Sequence, residues 1–364
     1  MNKIKIAGYF IFIVCLFPFW AGAQFSETRE LVKRFAVTPK TQIEIANKYG
    51  KVEVNTWDKD SAVFEISIRV EEKKLSKLEE SIRNIDFDIT DSQNYLIVRT
   101  EVEKNLSGLA KEIKRFKETL LSSDGNMQVD YMVWIPDSNR LKIENKYGDV
   151  YIGDYKGAVS IDLSNGNLKA NNFENDFDLI LNFGDATINA IKDGRLECSF
   201  SELYLKKASS LRINSRSTEF DIQEIKDLNA DSRRDQYKIQ EIDLLDAQSS
   251  FSTFRINELS DRVNMRAEYG DLEVDHISDD FSNIFVQSKS TDISLYFLPE
   301  SQFNFVIRHS KTELSLTDKM TTESEEVSED AKTTTLKGNY GKHVKGAEKL
   351  DITAESGSVT VRSR

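Results

Sequence analysis

The stretch Asn145-Lys146-Tyr147-Gly148-Asp149-Val150-Tyr151-Ile152 decides the reading of this chain, because close copies of it stand far away on either side. Asn47-Lys48-Tyr49-Gly50-Lys51-Val52-Glu53-Val54 matches it almost residue for residue. Ala267-Glu268-Tyr269-Gly270-Asp271-Leu272-Glu273-Val274 keeps its turn and its alternation. Such self-similarity marks a repeat architecture, in which each unit buries its apolar face only against its neighbours. Taking the first apolar residue after the turn as position 0, twelve units are centred on Val52, Val150, Leu168, Ala186, Leu203, Phe220, Tyr237, Phe254, Leu272, Ile293, Leu314 and Val359. From Val150 to Leu272 the centres stand 17 or 18 residues apart.

The other columns test that register. Positions −7, 0 and +2 are apolar in every unit and position −9 fails only at Gly194, so 47 of 48 places are apolar where a composition 39% apolar would fill fewer than half. Inward side chains at period two make two short strands per unit. Position −2, between them, holds only Gly, Ser, Thr or Asp, as a tight turn requires. A further apolar column at +5 (Trp57, Tyr155, Phe173, Ile191) supplies a third inward contact where the chain turns back. No unit carries a helical apolar period. The fold class expected is all-β, a parallel β-solenoid of 17–18-residue coils. An antiparallel meander also shows period two, but like residues recurring at fixed offsets favour in-register parallel stacking. At roughly 4.8 Å per coil, the units from Val150 to Leu314 would rise about 45 Å.

Two insertions interrupt the repeat. Between the first two units, Phe64–Val70, Ile85–Ile89, Tyr95–Val102 and Met127–Ile135 read as strands. Leu75, Leu78, Ile82 and Ile85, then Leu106, Leu109, Ile113, Phe116 and Leu120, read as amphipathic helices. This α/β insertion is the expected N-terminal cap, since an open solenoid end invites edge pairing. The second insertion, polar and acidic from Thr317 to Thr335 and then glycine-containing, is expected as a mobile loop. The resulting division is 1–23, a signal peptide; 24–136, first coil plus capping insertion; 137–316, solenoid; 317–349, loop insertion; and 350–364, final coil.

The leader has a charged start (Lys3, Lys5), an apolar run from Ile6 to Trp20 and an Ala21-Gly22-Ala23 cleavage site. Cleavage after Ala23 leaves 341 residues and moves the formal charge from −12 to −14. The run is short for a membrane span, no second apolar segment follows, and Cys15 lacks the small preceding residue of a lipoprotein signal. The mature chain is therefore expected to be exported (periplasmic, outer-surface-associated or secreted) without a transmembrane segment. Its acidity, with no basic tract, argues against nucleic acid as a partner. Cys198, the one remaining cysteine, has no disulfide partner and reads as a packed, inert thiol.

Together, the N-K-Y-G-D-V-x-I turns, the leader and the closing Gly357-Ser358-Val359-Thr360-Val361 coil resemble the bacterial putative-adhesin β-strand-repeat family, related to the head GIN domain family, over about Ile43 to Val361. The resemblance implies a right-handed parallel solenoid and an envelope or extracellular location. It supplies no catalytic residues.

Two columns could carry chemistry. Position −1 is acidic in many units. Asp185, Glu202 and Glu219, and again Asp271, Asp292 and Glu313, are expected on successive coils. Clustered carboxylates repel unless a cation bridges them, and Ca²⁺ takes several oxygens, so these six are the candidate metal ligands; no other cofactor is expected. The alternative is that the acids splay into solvent and are screened within about 8 Å. Position −3 contains Tyr49, Tyr147, Phe183, Phe200, Phe251 and Tyr269; of these Tyr49, Tyr147 and Tyr269 are the candidate ligand-binding residues, as rings that stack on sugars, unless they only pack on one another. His276, His309 and His343 form no metal or triad motif, Lys206-Lys207 and Arg233-Arg234 read as solvated pairs, and no phosphate-binding glycine loop occurs. The function expected is a non-enzymatic binding scaffold of the cell envelope or surface for an envelope protein or glycan. The alternative is a polysaccharide lyase-like enzyme using the acidic column.

Overall fold

The computed structural model describes residues 24–102, 127–328, 332–342, 346 and 349–364. The leader, the helix expected over Leu106–Leu120 and His343 lie outside them.

The period of 17 has a simple origin. Strands β11 (Leu168–Asn182), β12 (Asp185–Ser199), β13 (Glu202–Arg216), β14 (Glu219–Arg233) and β15 (Gln236–Ser250) are each 15 residues long, and two corner residues separate each from the next. Every strand bends once at position +5 and continues onto the opposite face, so one strand serves both sheets. Each pairs with the next in parallel and in register: Leu203 lies beside Ala186 and Phe220, and Ile213 beside Leu196 and Ala230. Where a coil has 18 residues, the extra one is taken up as a bulge at the +5 bend, between Phe173 and Asp176 and again beside Leu259 and Arg262 in β16 (Thr253–Ile277). The solenoid reading thus holds, and the meander does not.

The corner at −3 and −2 is the conformationally demanding element. All twelve units place their −3 residue at positive φ, from Tyr49 at 66° to Ser290 at 50°. A left-handed conformation costs an ordinary L-residue roughly 1–2 kcal/mol, and only Asn165 is of a type that adopts it readily. The left-handed residue turns its N–H up the stack: Tyr147 donates to the Ser164 carbonyl at 3.0 Å, Phe200 to Arg216 at 3.0 Å and Phe251 to Glu268 at 2.8 Å. The ladder therefore runs unbroken around the corner. At −2 the chain crosses so closely that a Cβ on Gly148 would stand 2.0 Å from the Gly50 carbonyl oxygen. Where −2 is serine or threonine, its hydroxyl returns to the −4 carbonyl, as Thr218 does to Arg216 at 3.1 Å and Thr312 to Ser310 at 3.0 Å.

Sequence order and spatial order part at both ends. Strands β2 (Gln42–Lys48) and β3 (Val52–Trp57) form the first coil in the chain, yet they lie inside the stack. On one side they pair with β8 (Leu141–Lys146) and β9 (Val150–Ile152). On the other they pair with β6 (Tyr95–Val102) and β7 (Met127–Pro136), which make a coil from the insertion itself. Beyond these, β5 (Ile85–Asp91) pairs with β6, while β4 (Ser61–Glu72) joins β7 to the outermost strand β1 (Phe25–Ala36), all antiparallel. The helix α1 (Leu75–Arg83), the one helix among the described residues, buries Leu78 and Ile82, as their spacing predicts.

At the other end β22 (Leu350–Ser363), last in the chain, slides between β17 (Asn283–Phe297) and the pair β18 (Phe303–Ser310) and β19 (Glu313–Leu316). Leu350 faces Ile284 on one side and Phe305 on the other. The segment expected as a mobile acidic loop contains β20 (Met320–Val327), paired antiparallel with β21 (Thr334–Tyr340), which pairs in turn with β18. The acids mislead here because this edge strand is exposed on both faces and needs no apolar column. Tyr340 closes that end, stacked on Phe303 at 4.9 Å.

The corner yields a contrast to measure. Gly148→Ala should destabilise the protein by about 2–4 kcal/mol, because backbone must move to admit the methyl group. Ser217→Gly, one column away at positive φ, should stabilise it or leave it unchanged. Chemical denaturation of both variants checks the pair; equal effects would contradict the corner geometry.

Candidate functional site

The −3 residues form one line along the solenoid edge, since each sits on the corner of its own coil. Their rings pair in stacks: Tyr49 on Tyr147 at 5.5 Å, Phe183 on Phe200 at 5.1 Å, and Phe251 on Tyr269 at 4.9 Å, with interplanar angles of 12°, 4° and 11°. Cations lie against three of the rings: Lys48 over Tyr49 at 4.7 Å, Arg216 over Phe200 at 5.0 Å and Arg234 over Phe251 at 5.9 Å. Of the three tyrosines expected to bind, Tyr49 and Tyr147 come together, whereas Tyr269 stands seven coils above Tyr147, about 34 Å at the parallel-strand spacing. One continuous tyrosine platform does not exist.

The acidic column divides likewise. Asp185, Glu202 and Glu219 do lie side by side on three adjacent coils. The second trio does not, because β22 places Ser358 between Asp292 and Glu313. Several column members already have structural work. Asp149 accepts the Asn167 N–H at 2.8 Å, Asp292 accepts the Ser358 hydroxyl at 2.7 Å, and Asp271 accepts the Thr253 hydroxyl at 3.0 Å. Glu219 is bonded to Lys238. Among the described residues no group of three or more His, Cys, Asp or Glu side chains is arranged to hold a metal ion.

One place joins the two columns. Phe200, Ser217 and Arg234 are consecutive −3 residues, and the small Ser217 between two large side chains leaves a notch of about 360 Å³. Its walls are Phe200, which is 46% exposed, and Arg234; its floor is Ser201, Ser217 and Thr218, and along one side run Asp185, Glu202, Glu219 and Gln236. The sequence reading held every one of these columns but favoured the tyrosines. The signal it passed over was the break from aromatic to small at Ser217.

Directly beneath the notch the corner carries a buried carboxylate. Asp235, 1% exposed, takes the −2 position. Its oxygens accept the Thr218 N–H at 2.8 Å, the Arg233 N–H at 2.9 Å, and the Ser215 and Ser232 hydroxyls at 2.8 and 2.7 Å. Four donors offset its desolvation and fix the loop that bears Arg234. Ser215 also meets the buried Tyr237 hydroxyl at 3.0 Å, and burial pushes that phenol well above its ordinary range. Cys198 lies close by. Burial, with the Asp235 and Glu197 charges behind it, pushes its thiol up to about 12, so it stays protonated and is no nucleophile.

Of the remaining sequence features, Lys207 pairs with Glu224 at 2.7 Å, His276 is exposed, and the outward +1 face is mixed in charge. Among the described residues no helix is long and apolar enough to cross a membrane.

No family model and no curated protein matches the chain. Among solved structures it is similar to a putative cell adhesion protein from Clostridium sporogenes, at 9% identity over 93% of this chain and 100% of that one, with a TM-score of 0.19. It is also similar to a putative adhesin from Parabacteroides distasonis, at 9% identity over 73% and 97% of the two chains with a TM-score of 0.33. A putative adhesin from Bacteroides fragilis gives 9% identity over 92% and 97%, with a TM-score of 0.28. Likeness at this level carries no functional argument.

Two measurements follow from the site. Cys198 in the native protein should not react with a thiol reagent at pH 8, and should react fully once the chain is unfolded in guanidinium; fast native labelling would contradict the buried thiol. Millimolar Ca²⁺ should leave the melting temperature unchanged, whereas a saturable rise abolished by Glu202→Gln would show that the adjacent carboxylates share an ion.

Proposed function

We propose that this protein is an exported, non-enzymatic binding scaffold of the cell envelope or surface, and that it holds a glycan in the corner notch at Ser217. The observation that carries the reading is the convergence of an exposed aromatic ring, an arginine, an amide and carboxylates around one open depression: Phe200, Arg234, Gln236, Glu202 and Glu219. A sugar presents apolar C–H faces and many hydroxyls, and such a wall matches both, the ring taking the face and the polar groups the hydroxyls. The rigid coil below fixes the geometry beforehand, which spares the ordering cost that weakens loop-built sites.

The lyase-like alternative needs a carboxyl group or basic side chain whose proton affinity is tuned by burial. Asp185 and Glu202 are exposed and Glu219 is neutralised by Lys238, so the notch offers hydrogen bonding to hydroxyls more readily than proton transfer.

A glycan array probed with the chain from Gln24 onward tests the proposal. Retention on a defined subset of glycans is expected, falling about tenfold or more in Phe200→Ala and in Arg234→Ala and holding in Tyr204→Ala on the outward face. Incubation with acidic polysaccharides should release no unsaturated product. Binding that survives both notch variants, or product release, would overturn the reading.

A further inference from the structure

Among the described residues the two sheets have four free edges, and these differ in one respect. At its ends the sheet holding the −9 and −7 columns carries β5, with Asp86, Asp88 and Asp91, and β20, with Glu323, Glu325 and Glu326. The other sheet ends at β19, four residues long, and at β1, twelve residues long. Acidic or short edges repel or shorten any added strand. β1 is long and of mixed charge, with Glu27 and Glu30 beside Arg29, Lys33 and Arg34, so its edge can meet a complementary one. It pairs along its whole length with β4 and has no second strand partner among the described residues.

We propose that the open edge of β1 pairs with the same edge of a second copy of this chain, joining two solenoids at their N-terminal ends through a two-fold antiparallel ribbon centred on Val32. The charges on β1 select that centre. A two-fold axis perpendicular to the sheet sets residues of one face opposite one another, and nine or more residues of β1 pair only if the axis passes through Arg29, Glu30, Leu31 or Val32. Centring on Arg29 sets that arginine against its own copy, and centring on Glu30 does the same for the glutamate. Centring on Leu31 sets Arg29 against Lys33 twice. Like charges directly opposite are destabilising.

Centring on Val32 leaves no like pair. Glu30 then faces Arg34 of the second copy, and this contact occurs twice. Leu31 faces Lys33, Arg29 faces Phe35, and Val32 meets its own copy. Val32 is 64% exposed in the single chain, on the solvent side of the sheet and across from Glu65 of β4. Glu30 and Arg34 share that side, and the Ser67 hydroxyl holds the Glu30 carboxylate there at 2.7 Å. The ribbon would leave both notches at Ser217 exposed, and it does not depend on what they bind.

Sedimentation of the chain from Gln24 onward, over a range of concentrations, tests the pairing. A reversible dimer is expected. Arg34→Glu, which sets two glutamates face to face, and Glu30→Arg, which does the same with arginines, should each raise the dissociation constant about tenfold or more. The double variant Glu30→Arg with Arg34→Glu restores opposite charges and should restore the dimer. Circular dichroism and melting temperature identify any variant that has lost its fold. A wild-type chain that stays monomeric, a dimer indifferent to either single change, or a folded double variant that stays dissociated would each overturn the proposal.

Discussion

Everything in this molecule rests on the hydrogen bond that leaves the left-handed corner residue and continues the ladder into the next coil. Twelve residues accept positive φ so that this can happen, and eleven of them are neither glycine nor asparagine. At roughly 1–2 kcal/mol each the strain is comparable with the stability of a whole domain. It is tolerated because every corner is held by its neighbours: N–H groups below carbonyls, hydroxyls returned to the −4 carbonyl, and stacked rings worth about 0.5–1.5 kcal/mol per pair. The same constraint arranges the surface. A residue fixed at the corner must point outward, so the row of aromatic and charged side chains on the edge is a direct consequence of the turn.

A stack built this way has its weakest points at its two ends, and the chain closes both by the same device. Its first coil and its last are each drawn inside the stack, so that β2, β3 and β22 are bonded on both sides. Fraying the C-terminal coil would then require breaking two ladders at once, whereas the N-terminal strand β1 is held by one. The outermost coil at the N-terminal end, β6 with β7, comes from the insertion, and at the other end it is β18 with β19; added antiparallel strands, the helix α1 and the Phe303–Tyr340 stack cover the core.

Much of the site was legible in one dimension and none of it in three. The −3, −2 and −1 columns name every residue of the notch, because a repeat converts sequence offset into position on the edge. What a column conceals is depth and adjacency. Ser217 makes a depression only because Phe200 and Arg234 flank it, and Asp292 fails to reach Glu313 only because β22 comes between them. Reading the −1 acids as one class also hid their separate employments, with Asp149 accepting the Asn167 N–H and Asp292 the Ser358 hydroxyl.

By itself the sequence determined the coil: its length, its inward columns, its parallel register and the turn residues at its corner. It could do so because each of those is a local requirement repeated many times, and chance does not repeat. The tertiary structure alone decided the order of the coils at the two ends, the conversion of an acidic stretch into a strand, and the meeting of ring, arginine and carboxylates at Ser217. Those depend on which segments of similar pattern pair with which. That competition is settled by burial and edge closure over the whole stack, and no single unit records it.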